Sequence, residues 1–145
     1  MHLIDLKPRL ESLDVQDLLY ELVGWRDDDA LNRAALERSS AAYRQDASQH
    51  LYGTFREGRL AGLIGLETAA SPHLHIRHLV VYPAYRGTGV GRELIEAVWN
   101  SLKPVRLSAE TDASAVGFYR RCGFSAQSLG EKYPGVERFL CLLEP

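Results

Sequence analysis

The segment Arg86-Gly87-Thr88-Gly89-Val90-Gly91-Arg92 carries the sharpest chemical signal in this 145-residue chain. Glycines at alternate positions let the backbone take positive φ and let a ligand approach the main chain closely. The residues that follow, with Leu94, Ile95, Val98 and Leu102 apolar and Glu93, Glu96 and Asn100 between them, are spaced as an amphipathic helix. Amides in the first turn of a helix lack intrahelical partners and lie at the positive end of its dipole. A glycine loop opening a helix is therefore an anion cradle, most simply for a phosphate or pyrophosphate. Arg86 and Arg92 flank it and can add charge-assisted bonds. The competing reading is a tight strand–helix connection with no ligand. Spacing excludes two familiar phosphate loops. No Gly-Lys-Ser/Thr follows Gly91, and a dinucleotide fingerprint needs a glycine where Arg92 stands.

Other groups able to move protons lie nearby in sequence. His73, His75 and His78 precede the loop, and Glu67 and Glu110 are the competing carboxylates. Simple strand alternation puts His73 and His75 on one face and His78 on the other, which argues against one metal ion shared by all three. Cys122 and Cys141 are too few and too far apart for a disulfide framework or a zinc site, and read as core thiols. No metal is expected.

The elements that must position these groups follow from the pattern. The run Leu74 to Val81 is β-branched and stops near Pro83, so it reads as a strand feeding the loop. After the helix, Lys103-Pro104 breaks the pattern and Val105 to Glu110 reads as a second strand. Strand, helix and strand in this order favour a right-handed crossover with the two strands parallel. Ligands in such sheets bind beyond the carboxyl ends of the strands, which places the loop and Glu110 at one edge. Asp112 can cap a further helix with the stripe Ala115, Phe118, Tyr119 and Cys122, closed by Gly123. Gly117 inside that helix hints at close approach by a backbone or a ligand.

Upstream, His2 to Leu6 reads as a strand, and Ser12 as the N-cap of a helix with the stripe Val15, Leu18, Leu19 and Leu22. Asp27-Asp28-Asp29 caps a second helix whose body holds Leu31, Ala34, Ala35, Ala42 and Tyr43. Leu51 to Phe55 and Arg59 to Leu66 form a hairpin around Arg56-Glu57-Gly58. Phe124 to Leu129 and Val136 to Leu143 form another around Tyr133-Pro134-Gly135. No repeat, linker or composition shift divides residues 1–145, so a single domain is expected. Its class is a mixed, α+β-like α/β fold with a central mixed β-sheet flanked by helices.

Composition narrows the partners. A net charge of −2 gives no global attraction for nucleic acid or an anionic membrane, so neither is expected as a partner. The first ten residues hold no long apolar h-region and no 18-residue apolar run occurs, so the expected location is the cytoplasm.

With its preceding arginine, the Gly-x-Gly-x-Gly segment resembles the pyrophosphate loop of the GCN5-related N-acetyltransferase (GNAT) family. The run Ala115-Val116-Gly117-Phe118-Tyr119-Arg120-Arg121-Cys122-Gly123-Phe124 is similar to that family's second signature, a helix carrying Phe-Tyr and closing at Gly-Phe. Two signatures in the right order make a far more specific match than either alone, and the resemblance covers most of the chain, weakly before about Leu51.

The resemblance implies an enzyme that moves the acetyl group of acetyl-coenzyme A (acetyl-CoA) to a primary amine by direct attack in a ternary complex. The loop residues Arg86, Gly87, Thr88, Gly89, Val90, Gly91 and Arg92 would hold the pyrophosphate, and Leu79, Val80 and Val81 on the strand before them would line the cofactor arm. Tyr119 stands where the family carries its tyrosine acid. His75 lies where some members place a basic glutamate, with Glu67, Glu110 or a water chain as alternatives. Asp112 replaces an asparagine that often touches the cofactor arm; it keeps an acceptor and loses the amide donors. A non-catalytic acyl-CoA sensor is the alternative from another class, and a domain for a different nucleotide would fit the loop alone. The acceptor amine carries no motif, and the oligomeric state is open, a homodimer included.

Overall fold

A computed structural model describes residues 2–69 and 72–145; Ser71, which with Pro72 is expected from the sequence to break the chain before the loop strand, lies outside them. The elements run β1 (Ile4–Asp5), α1 (Leu13–Val23), α2 (Asp29–Gln45), β2 (Gln49–Arg56), β3 (Arg59–Thr68), β4 (His73–Val81), α3 (Val90–Leu102), β5 (Arg106–Asp112), α4 (Val116–Arg121), β6 (Ser125–Tyr133) and β7 (Val136–Leu143), with 3-10 turns at Lys7–Arg9 and Pro83–Tyr85. The strands form one seven-stranded sheet in the order β1-β2-β3-β4-β5-β7-β6. Among the described residues only β4 and β5 are parallel neighbours; the other pairings are antiparallel. This is the mixed sheet with flanking helices that the sequence predicts.

Alternation explains the strand order at the far edge. On β7, Phe139, Cys141 and Leu143 turn to the core, while β6 is exposed and polar along nearly its whole length. The apolar strand takes the inner position and the polar one becomes the edge, where charged side chains discourage pairing with other chains.

Two cores lie on opposite faces of the sheet. On one, Leu94, Ile95 and Val98 of α3 pack with Ile64, Leu66, Ile76, Leu107 and Tyr119. On the other, Val15, Leu18 and Leu19 of α1 and Leu36 and Tyr43 of α2 cover Leu51, Leu63 and Val80. Asp28 caps α2 as expected, accepting from Ala30 N at 2.9 Å and Leu31 N at 3.3 Å. Ser12 sits at the N-cap of α1 but makes no capping bond to it, its hydroxyl going instead to Arg9 O and Asp14. Leu31 is not a core residue: it is 54% exposed, and α2 buries Asn32, Ala35, Leu36, Ser40 and Tyr43. Among the described residues no helix is long and apolar enough to cross a membrane.

The face assigned to His78 needs correction. Gly65 pairs with His78 but Leu66 pairs with Ile76, so Arg77 is an extra residue in β4. Such a bulge flips the side-chain parity of everything beyond it. His78 therefore points to the α1/α2 face, where its Nδ1 shares a 2.5 Å hydrogen bond with the Tyr43 hydroxyl. His73 and His75, which both meet Ser108, lie on that same face. Even so, no three His, Cys, Asp or Glu side chains among the described residues are grouped to hold a metal ion.

Candidate active site

The bulge stands at the mouth of a fork. Parallel pairing of β4 with β5 runs from His73 opposite Arg106 to Ile76 opposite Ala109 and stops there. Residues 77–81 and 110–112 continue without pairing to each other. An opening between parallel strands leaves main-chain groups unsatisfied toward the gap, which suits an extended polar ligand arm.

The glycine loop crosses above this fork. Gly87 and Gly89 have φ of +76° and +92°, and a Cβ on either would meet nothing within 4 Å, so both face open space. Thr88 N bonds Tyr85 O, and the first intrahelical bond of α3 runs from Glu93 N to Gly89 O. The amides of Gly87, Gly89, Val90, Gly91 and Arg92 have no partner among the described residues. These unpaired N–H groups at the positive end of a thirteen-residue helix form the anion cradle expected from sequence.

The loop is braced from a distant strand. Arg56, at the end of β2, donates to Thr88 Oγ1 at 3.0 Å and to Glu93 Oε2 at 2.9 Å. Thr88 Oγ1 in turn donates to Tyr85 O at 2.5 Å. The Thr88 side chain is thus turned toward the brace.

A cavity of about 680 Å³ joins the cradle to the fork. Of the residues expected to hold the cofactor, Leu79, Val80, Val81, Arg86, Gly87, Gly89, Val90, Gly91 and Arg92 line it, and Thr88 and Asp112 do not. The Asp112 carboxylate accepts from Ser114 N, Ser114 Oγ and Ala115 N, and the Ser114 bonds hold it below the usual carboxylate range. It thus organises the turn before α4, which begins at Val116, later than the sequence predicts.

Sequence reasoning missed Arg121, which lines the cavity beside Arg86 and Arg92. Its guanidinium lies back along α4, with Nη1 at 3.2 Å from where a Gly117 Cβ would be. That side chain, and no backbone, is what approaches Gly117. The only signal in the sequence was a basic residue in the last turn of the second signature. Cys122 packs half-buried against the core and also lines the cavity, whereas Cys141 is fully buried. Glu21 of α1 reaches the same wall and pairs with Arg86 at 3.3 Å. A second cavity of about 840 Å³ lies beyond Glu21, between α1 and residues 82–84. None of the unpaired loop amides faces it.

Where the strands part, His75 Nδ1 lies 2.8 Å from Ser108 Oγ, and His73 Nε2 lies 2.9 Å from the same oxygen. Burial pushes the His75 pKa below its ordinary value, so the ring is neutral at neutral pH. The carboxylates are already committed. Glu67 pairs with Arg77 at 3.4 Å, and Glu110 with Lys132 at 3.1 Å and Arg138 at 3.5 Å. The Lys132 bond holds Glu110 below its ordinary range, which weakens it as a base.

Tyr119 is buried on the α3/α4 face, edge-on between Phe118 at 5.2 Å and Phe124 at 5.3 Å, and Phe118 rather than Tyr119 lines the cavity. Its hydroxyl has no hydrogen-bond partner among the described residues. Among the described residues every fully enclosed side-chain nitrogen or oxygen has one, so the Tyr119 oxygen keeps some access. Burial raises its pKa, so it holds its proton at neutral pH. Gly123, at φ +97°, closes α4, with Phe124 N returning to Tyr119 O at 3.0 Å.

Comparison with known proteins agrees with this geometry. A family model described as an acetyltransferase (GNAT) domain matches residues 16–137. A streptothricin acetyltransferase from Escherichia coli is 32% identical over 102 residues, covering 61% of this chain and 59% of that protein. The chain spans less than two thirds of the length of the curated relatives it matches. Among solved structures, a GNAT-family protein from Desulfovibrio desulfuricans superposes with a TM-score of 0.78 at 21% identity, covering 99% of this chain and 98% of that one. An aminoglycoside 6'-N-acetyltransferase complexed with coenzyme A gives 0.74 at 13% identity, covering 99% and 96%.

Proposed function

The chain belongs to the GNAT acetyltransferase family, and from that premise we propose that it is an acetyl-CoA-dependent N-acetyltransferase acting on a primary amine. The observation that carries this reading is the set of unpaired amides of Gly87, Gly89, Val90, Gly91 and Arg92 lining a cavity that runs to the fork. Open space over Gly87 and Gly89 and three nearby guanidiniums fit a pyrophosphate. Acetyl-CoA would supply an activated acyl group, with its pyrophosphate held by these amides and by Arg86, Arg92 and Arg121. Binding would draw Arg86 away from Glu21, since a phosphate accepts its fork more strongly than a solvated carboxylate.

His75 is the proposed base. A neutral imidazole at the end of the paired segment can take the proton an ammonium must lose before it attacks. Tyr119 is the proposed acid, its protonated and unpartnered hydroxyl being suited to the departing thiolate. Direct transfer is favoured because the thiol pKa values of Cys122 and Cys141 are raised by burial, which makes both poor nucleophiles. The similar proteins named above act on streptothricin and an aminoglycoside; for this chain the proposed acceptor class is a primary amine. The same reading treats residues 1–145 as one domain, supported by the single sheet.

The test pairs binding with turnover. Calorimetry should show coenzyme A binding to the wild type and its loss in Gly89→Glu, where a carboxylate would fill the cradle. Thiol release from acetyl-CoA across a panel of primary amines should be acceptor-dependent. Binding without turnover on any amine would favour an acyl-CoA sensor, and equal affinity in both proteins would put the pyrophosphate elsewhere.

A further inference from the structure

The strand pair at the base of the fork holds a hydrogen-bond chain, His75–Ser108–His73, whose central residue is 3% exposed. A hydroxyl has one proton and two lone pairs, and Ser108 Oγ meets no group but these two rings among the described residues; the buried proton is satisfied only when the hydroxyl accepts from one ring and donates to the other. We infer that Ser108 is a positioning residue that locks the tautomers of His75 and His73 together and carries the proton taken up at His75 out to His73. This rests on the transferase reading and deepens it.

The tautomer logic is set by which nitrogens meet Ser108. His75 uses Nδ1 and His73 uses Nε2. If His75 Nδ1–H donates to Ser108 Oγ, the Ser108 proton goes to His73 Nε2, and His73 must carry its own proton on Nδ1. Both rings are then Nδ1–H tautomers, and His75 Nε2 is bare and basic. If the chain runs the other way, both are Nε2–H tautomers and His75 has no free basic nitrogen. The mixed state in which both rings donate to Oγ keeps both bonds but leaves the buried Ser108 proton without an acceptor among the described residues. A proton accepted at His75 Nε2 pushes the Nδ1 proton to Ser108, whose own proton passes to His73 Nε2. His73 then releases its Nδ1 proton to water. One proton enters at the fork, one leaves at His73, and the direction of the chain is reversed. Exchange of both outer nitrogens with water after product release restores it.

The surroundings favour this route. Glu67, Arg77, His73 and Glu110 are the charged or titratable groups that act on His75. Glu67 is paired with Arg77, and Glu110 with Lys132 and Arg138. Ser108 is the one hydrogen-bond partner of the His75 ring among the described residues.

The experiment is nitrogen-15 NMR of the histidine rings at a pH where both are neutral, on wild type, Ser108→Ala and Ser108→Thr, with single-turnover rates alongside. In wild type and Ser108→Thr, His73 and His75 should show the same tautomer. In Ser108→Ala they should become independent, each drifting toward the mixture of a free ring. The single-turnover rate should fall roughly 10- to 100-fold in Ser108→Ala, less than the loss of a base at about 10²–10⁴-fold, with coenzyme A affinity unchanged and recovery in Ser108→Thr. Opposite tautomers in wild type, or an unchanged rate in Ser108→Ala, would overturn the relay. Absence of turnover in every protein would count against the transferase reading alone, since the ring spectra still decide the coupling.

Discussion

Tyr43 of α2 and His78 of β4 share a hydrogen bond of 2.5 Å, made over Gly65, where the bulge at Arg77 turns the histidine toward the helix. Burial pushes the His78 pKa down to about 4, with Arg77 adding to the effect. Unfolded, the ring titrates near 6.5. Between those values the unfolded chain binds the extra proton, so stability falls as the pH drops through that window. The loss from His78 should be on the order of 3 kcal/mol by pH 4. Urea denaturation at pH 7 and pH 4.5 should show a steeper loss in wild type than in His78→Gln. Parallel pH profiles would mean that the ring is solvated.

Space over Gly65 makes the second expectation. A Cβ there would stand 1.7 Å from the Tyr43 hydroxyl oxygen and 2.7 Å from its Cζ. Gly65→Ala should therefore cost at least the upper end of the roughly 1–3 kcal/mol typical of overpacking. Adding Tyr43→Phe removes the nearest atom but not the ring, so the double variant should recover only part of the loss. Thermal or urea denaturation reads this directly, and a single variant within about 0.5 kcal/mol of wild type would contradict it.

Arg56 should matter to the cofactor rather than to the chemical step. It holds Thr88 and Glu93 from β2 and lines no part of the cavity at the cradle. Losing the brace lets the loop amides spread, at a cost of about 1–1.5 kcal/mol in binding, or roughly 5- to 10-fold in Kd for coenzyme A. Arg56→Ala should show this in calorimetry with kcat close to wild type. A fall in kcat at unchanged affinity would point to a different role.

Tyr119→Phe separates the enzyme from a binding module. The substitution removes a hydroxyl without a protein partner among the described residues, so stability and coenzyme A affinity should stay within about 1 kcal/mol of wild type. As the proposed acid, its loss should slow the chemical step by about 10²–10⁴-fold. Single-turnover measurement keeps slow product release from hiding the effect. Equal rates would leave Tyr119 as a packing residue between Phe118 and Phe124.

The features legible in the sequence are those decided by local backbone chemistry. Gly87 and Gly89 take positive φ and open α3, Asp28 caps α2, and Gly123 ends α4. Each depends on a few adjacent residues, and a short stretch of chain already contains the reason. The strand–helix–strand crossover belongs with them, because handedness and alternation leave few ways to arrange it. What tertiary structure alone decided is register and reach. One extra residue at Arg77 moved His78 to the other face, because strand parity depends on the partner strand as well as on the chain itself. Arg56 finds Thr88 32 residues away, and Ser108 finds His75 33 residues away. Arg121 reaches the cavity along its own helix only because α4 packs beside the fork. No local propensity encodes such meetings: they exist only once the sheet has brought β2, β4, β5 and α3 together.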